Sequence, residues 1–309
     1  MTRFTRKIKL MGSVFELIAV VESEIQADYY FNLAVNEIQR IENLLSEFKH
    51  DSDTSRINSA SKEQSIEISK ETYQLLTRCK NLHRMTFGFF DPTVKPLKSI
   101  YNFKNNEFTF PDKNLIHSVL PFIGMDLLIL KSENVVSKKF DEVQISFAAI
   151  GKGYAADCVK NIWIKSGLSS GVISASGDLF AIGKNEFGLD WNIAIPDPND
   201  KEKVLMYIPI HNNAVATSGN YEQFFLNNGV KYSHNIHPMT GLPCIHISSV
   251  SVFSPSAELS DALATAVYAM GIKDGLKFIS GLPQTHVIII DQNGKIYASN
   301  KVEMVNEAV

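Results

Sequence analysis

Between residues 171 and 217 the chain carries a series of short runs rich in β-branched and aromatic residues, at 171–175, 179–182, 191–195, 204–210 and 215–217. No segment of helical length separates them, so the chain lacks the strict strand-helix-strand rhythm of a doubly wound parallel sheet, and an α+β arrangement is preferred. Helical periodicity appears elsewhere, at 27–48, 69–87, 154–165 and 257–270. This mixture predicts an α+β fold, a mixed β-sheet with packed helices. No fixed-period repeat and no Pro/Gly/Ser-rich linker divides the chain, which reads as a single continuous domain over residues 1–309.

The remaining segments place the loops. Strands are expected at 7–21, 127–130, 143–147 and 287–290, and a polar loop at 49–58. Ser69 is the expected cap of the second helix and Gly88 its stop. Asp91-Pro-Thr and Lys95-Pro break regular structure, so 89–110 reads as an ordered loop, the kind of segment that often lines a site.

Composition excludes several classes of function. The 30 Lys+Arg stand against 33 Asp+Glu, a formal charge of -3, and nucleic-acid binding needs a concentrated cationic excess. No apolar run approaches the roughly 20 residues that span a bilayer. Cys79, Cys158 and Cys244 form no C-x-x-C pair. The basic N-terminus is followed by a stretch that Glu16 and Glu22 interrupt, unlike a signal peptide, so the chain as written reads as cytoplasmic, or as periplasmic or membrane-anchored if a leader has been removed.

Three segments can carry chemistry. In the helix 256–270, Leu259, Leu263, Ala266, Val267 and Met270 fall on one stripe, while Asp261 and Thr265, four apart, stack on the other side. A carboxylate and a hydroxyl one turn apart suit a hard cation such as Mg²⁺; equally, they suit an ordinary solvated helix face. Residues 148–153, with two glycines around Lys152, join a strand to a helix and could hold a phosphate, or could be a tight glycine turn against a sheet. Residues 216–221 and 232–241 gather hydroxyls, amides and two histidines. His234 is the natural acid or base there, and His234-x-x-His237 has a zinc-pair spacing without a third ligand nearby. Asp91 and Asp178 sit in tight turns, where an aspartate usually bonds its own backbone.

Taken in order, these segments resemble the ApbE family of flavin transferases. Met11-Gly-Ser is similar to its opening M-G-T, and Ser46-Glu-Phe48 with Ser55-Arg-Ile-Asn58 to its S-x-Y and S-x-I-N region. Phe90-Asp-Pro-Thr-Val94 resembles F-D-P-T-V, the stretch from Ile150 to Asp157 resembles I-A-K-G-Y-A-x-D, and Ser176 to Gly183 resembles G-G-D-I-x-A-I-G. Ala216 to Gly219, Tyr232-Ser-His234, Pro238 with Thr240-Gly241, and Asp261-Ala-Leu-Ala-Thr265 complete the series. Departures occur at Ser146 and Asn220 for Asp, at His237 and Met239 for Asp and Arg, and at Lys95 for Gly.

The resemblance implies a Mg²⁺-dependent enzyme that takes FAD as substrate, attaches FMN by a phosphoester to a Thr or Ser of an acceptor flavoprotein, and releases AMP. It implies metal ligation by Asp261 and Thr265 with the carbonyls of Ala149 and Ala264. It places Met11, Phe48, Phe89, Phe90, Asp91, Ser146, Ala149, Lys152, Ser218, Gly219, His234 and Asn235 around FAD, with His234, Lys152 and Asp261 as the catalytic groups. An FAD carrier without transfer, or an FAD pyrophosphatase giving FMN and AMP, would use the same binding machinery.

Overall fold

A computed structural model describes residues 1–101, 110–198, 200–220, 224–227 and 230–299. β1 (Thr2–Leu10) and β2 (Ser13–Val21) form a hairpin. The single strand expected over 7–21 is divided because Met11 and Gly12, at φ 50° and 71°, reverse the chain. α1 (Glu24–Leu45) is capped by the Ser23 hydroxyl. α2 (Asp53–Ser59) occupies most of the expected loop, started by a Ser52 hydroxyl that accepts the Ser55 N–H. After β3 (Ile66–Glu67) comes α3 (Lys70–Met85), where the expected cap Ser69 accepts the Thr72 N–H at 3.0 Å.

α4 (Lys95–Tyr101) lies within the segment read as loop, of which 102–109 fall outside the described residues. α5 (Lys113–Val119), β4 (Leu128–Leu130) and β5 (Val135–Lys138) follow, and the last two join β3 in a small sheet of order β3-β5-β4. The segment 143–147, expected as a strand, is irregular. Its backbone is paired by a side chain instead: Ile145 donates to the Asn58 Oδ1 at 2.7 Å and accepts from the Asn58 Nδ2 at 2.9 Å. The buried Lys138 ammonium ties down the same region by donating to the carbonyls of Asn58, Asp141 and Val143.

α6 (Gly151–Lys165) leads to β6 (Gly171–Ala175), β7 (Asp178–Ile182), β8 (Trp191–Asp197), β9 (Asp200–Ile210) and β10 (Asn213–Gly219). β11 (Phe224–Asn227), β12 (Val230–Ser233) and β13 (Ile247–Ser254) precede α7 (Ala257–Met270), α8 (Ile272–Ser280), β14 (His286–Asp291) and β15 (Ile296–Ala298).

The main sheet has eight strands in the order β1-β2-β6-β7-β10-β13-β14-β15, so the two ends of the chain supply its two edges. The α+β expectation holds, but every pairing within this sheet is antiparallel rather than mixed. Connections such as Ser176-Gly177 are too short for the crossover that parallel strands require. Alternate residues of β2, β6 and β7 serve opposite faces. Leu17, Ala19, Ile173, Ala175, Phe180 and Ile182 pack under α1 and α6, while Ile18, Val20, Val172, Leu179 and Ala181 pack against the β8–β9 hairpin. Covering both faces keeps the sheet dry. No helix among the described residues is long and apolar enough to cross a membrane.

Candidate active site

The N-termini of α6 and α7 meet at Gly153. A β-carbon there would stand 2.2 Å from the Ala257 carbonyl oxygen, so only glycine permits the approach. Ile150, at the N-cap of α6, gives no side-chain cap. Asp261 supplies one from the neighbouring helix, its Oδ2 accepting the Gly153 N–H at 3.1 Å. In return Asp157 of α6 accepts the Ser256 hydroxyl at 2.7 Å and the Glu258 N–H at 3.0 Å in the first turn of α7. Two positive dipole ends brought together are stabilised by carboxylates at this spot.

The environment of α7 differs from the amphipathic reading. Asp261 is 5% exposed rather than solvated, and Leu259 and Met270 of the predicted apolar stripe are only half-buried. The helix is wedged between α6 and strands β10 and β13, so its polar side meets protein groups instead of water. Thr265, one turn on from Asp261, shares a hydrogen bond with Ser218 of β10 at 3.3 Å. Gly219, the next residue of β10, is buried.

Lys152 forms an ion pair with Asp178 across 26 residues of sequence. Asp178, its side chain 3% exposed, also accepts the Thr217 N–H at 3.2 Å. Asp178 and Asp157 are therefore members of the site that local reasoning passed over. Each is a letter of a quoted motif, which was the available signal, but an aspartate in a turn gives no hint of a distant partner. Asp91 behaves as turn chemistry expects: it accepts the Thr93 N–H at 2.8 Å and the Thr93 hydroxyl at 2.6 Å. Burial pushes its carboxyl up, opposed by His83 at 3.3 Å.

The remaining residues converge through short contacts. Ser146 donates its N–H to the Pro92 carbonyl at 2.9 Å, joining the Asp91 turn to the bend before α6, and its hydroxyl accepts the Ala148 N–H. Ala149 is half-buried in that bend. Met11, whose N–H donates to Glu42 at 2.7 Å, lies with its methyl 3.7 Å from the β-carbon position of Gly151. Phe89 meets His237 edge to face, with ring centroids 5.3 Å apart, and this contact brings the His234 loop to the Asp91 turn. The Phe90 ring is wholly buried in the core against α3, so its contribution is to fix Phe89 and Asp91. Phe48 is the opposite case, 85% exposed.

In the 232–241 loop His234 is half-buried. Its neighbour Asn235 is buried, with Nδ2 lacking a partner among the described residues, and the Oδ1 of buried Asn220 is in the same condition. Burial holds the His237 imidazole below its ordinary value, and its Nδ1 accepts the Met239 N–H at 3.3 Å.

Chemically, the α6–α7 junction offers the carboxylates of Asp261 and Asp157 and the hydroxyls of Thr265 and Ser218, with Ala149 in the bend just before α6. Ala264 lies within α7, where its carbonyl belongs to the helical ladder. Among the described residues no three His, Cys, Asp or Glu side chains gather as a metal cluster. An oxygen donor set this sparse fits a hard cation that retains water and phosphate oxygens, and it does not fit zinc.

Known proteins resemble this chain over most of its length. The sequence model of the ApbE family matches residues 11–289. The FAD:protein FMN transferase of Buchnera aphidicola is 30% identical over 275 residues, 86% of this chain and 80% of that protein. That of Vibrio cholerae is 28% identical over 269 residues, 85% and 80%. Among solved structures, the ApbE protein of Thermotoga maritima matches with a TM-score of 0.88 at 28% identity, covering 97% of both chains. The flavin transferase ApbE from Vibrio cholerae matches with a TM-score of 0.87 at 26% identity, again covering 97% of both.

Proposed function

The chain belongs to the ApbE family, and on that premise we propose the following account of its chemistry. It is an FAD:protein FMN transferase. FAD is the substrate, and the acceptor is a Thr or Ser hydroxyl of a flavoprotein. The observation that carries this reading is the junction of α6 and α7, where the Asp261 carboxylate, the Thr265 hydroxyl and the Lys152–Asp178 pair surround one helix N-terminus.

Asp261, Thr265 and the Ala149 carbonyl would hold Mg²⁺, which when bound supplies neutralising charge to a diphosphate. Lys152, kept in place by Asp178, adds its own charge to the FMN-side phosphate. Phe48, Met11 and Phe89 offer apolar surface to the rings of FAD. The acceptor hydroxyl oxygen attacks the FMN-side phosphorus, forming the new phosphoester as the bond to the bridging oxygen breaks. AMP leaves with that oxygen, and the hydroxyl proton passes to His234.

The test is mass spectrometry of an acceptor bearing a Thr-containing flavinylation motif after incubation with the chain, FAD and Mg²⁺. A mass gain equal to bound FMN is expected. Intact FAD without gain would make the chain a carrier, and free FMN with AMP would make it a pyrophosphatase.

A further inference from the structure

The exposed Phe48 ring stands on a backbone that is held on every side. The Ser46 hydroxyl accepts the N–H groups of Phe48 and Lys49 at 3.1 and 3.3 Å. Lys49 reaches back to Glu42 at 2.9 Å and Asn43 at 2.7 Å, and Glu42 also accepts the Met11 N–H. Ser52 donates its hydroxyl to the Ser46 carbonyl, and Thr54 donates to that of Leu45. A ring carried on so constrained a loop loses little further backbone freedom when a ligand ring stacks on it.

One contact ties this loop to the segment that carries Phe89. Lys95, the first residue of α4 and directly after the Asp91 turn, pairs with Glu47 at 2.6 Å. The two side chains are 23% and 24% exposed, so the pair is largely shielded from solvent. Lys98, one turn further along α4, is made less basic by burial but also feels the opposing charge of Glu47. Glu47 adjoins Phe48 in the chain, and Lys95 follows the Phe89–Asp91 turn. The pair therefore links the segment that carries Phe48 to the segment that carries Phe89, the two rings assigned to FAD in the proposed function.

We propose that the Glu47–Lys95 ion pair is a positioning element for FAD, holding the Phe48 ring at the spacing from the Phe89 turn that an aromatic ring of the dinucleotide needs. This rests on the reading of the chain as an enzyme that uses FAD. Both residues act through Phe48, so their effect belongs in substrate affinity and depends on that ring being present.

The test is FAD affinity of the full chain, followed by quenching of flavin fluorescence, with thermal melting to confirm that each variant is folded. Lys95→Met and Glu47→Gln should each raise the Kd for FAD about fivefold. The second variant matters because Lys98 could partly replace Lys95. The reciprocal exchange Glu47→Lys with Lys95→Glu should recover most of the affinity. In a Phe48→Ala background, Lys95→Met should have no further effect. Wild-type affinity in the single variants would overturn the proposal, as would an equal loss with Phe48 removed. Absence of FAD binding by the unaltered chain would instead remove the functional reading together with this one.

Discussion

Asp157 and Asp261 are reciprocal caps: each belongs to one of two packed helices and accepts a backbone N–H from the first turn of the other, Glu258 at 3.0 Å and Gly153 at 3.1 Å. The arrangement couples the metal-binding proposal to the fold itself. A carboxylate oxygen has lone pairs beyond the one that accepts an amide, so capping and cation binding are compatible at Asp261.

This dual role separates two substitutions. Asp261→Asn keeps an acceptor for the Gly153 N–H and should leave stability nearly unchanged while abolishing Mg²⁺-dependent turnover. Asp261→Ala should lose turnover and in addition about 1 kcal/mol of stability. Denaturant unfolding read alongside the transfer assay distinguishes them, and retained turnover in either variant would remove the metal assignment.

Lys152→Met deprives the Asp178 carboxylate of its cation in a nearly closed environment, a change expected to cost about 3 kcal/mol. A loss of activity in that variant alone would therefore be ambiguous. Lys152→Met combined with Asp178→Asn should recover most of the stability, since the amide can still accept the Thr217 N–H, without recovering turnover. Recovery of both would show that Lys152 serves the fold and not the reaction.

His234→Ala should slow transfer about 100-fold or more while changing FAD affinity little. Transfer is measured by FMN incorporation at saturating FAD, and affinity by fluorescence. Equal losses in both would make His234 a binding residue.

The His237 imidazole carries a pH prediction. Burial lowers its proton affinity below the ordinary 6.5, so just below that pH the unfolded chain binds a proton that the folded chain does not. Stability should therefore fall as pH drops below about 6.5, and the Phe89–His237 contact should loosen with it. His237→Asn should lose less stability than wild type between pH 7 and 5.5 in urea titrations. An identical slope in the two proteins would discharge His237 from this role.

How much of this was legible before the chain folded varies by segment. α7 was readable over its full length, because its apolar period is local. The eight buried residues of β13 were not, because serines at 248, 249, 251 and 254 disguise an interior strand. Two of those hydroxyls are matched from elsewhere, Ser251 by Thr217 and Ser254 by Ser260. Residues 143–147 looked like a strand and instead received the Asn58 side chain, 87 residues away from Ile145.

The candidate site divides along the same line. Residue order alone determined the family, the pairing of Asp261 with Thr265 on one helical turn, and the self-bonded Asp91 turn, since period and turn chemistry act over a few residues. Tertiary structure alone decided that Asp261 is buried against Gly153, that Lys152 is held by Asp178, and that Lys95 reaches Glu47. Those outcomes depend on which polar groups lose water together when distant segments close on one another, and no local pattern carries that information.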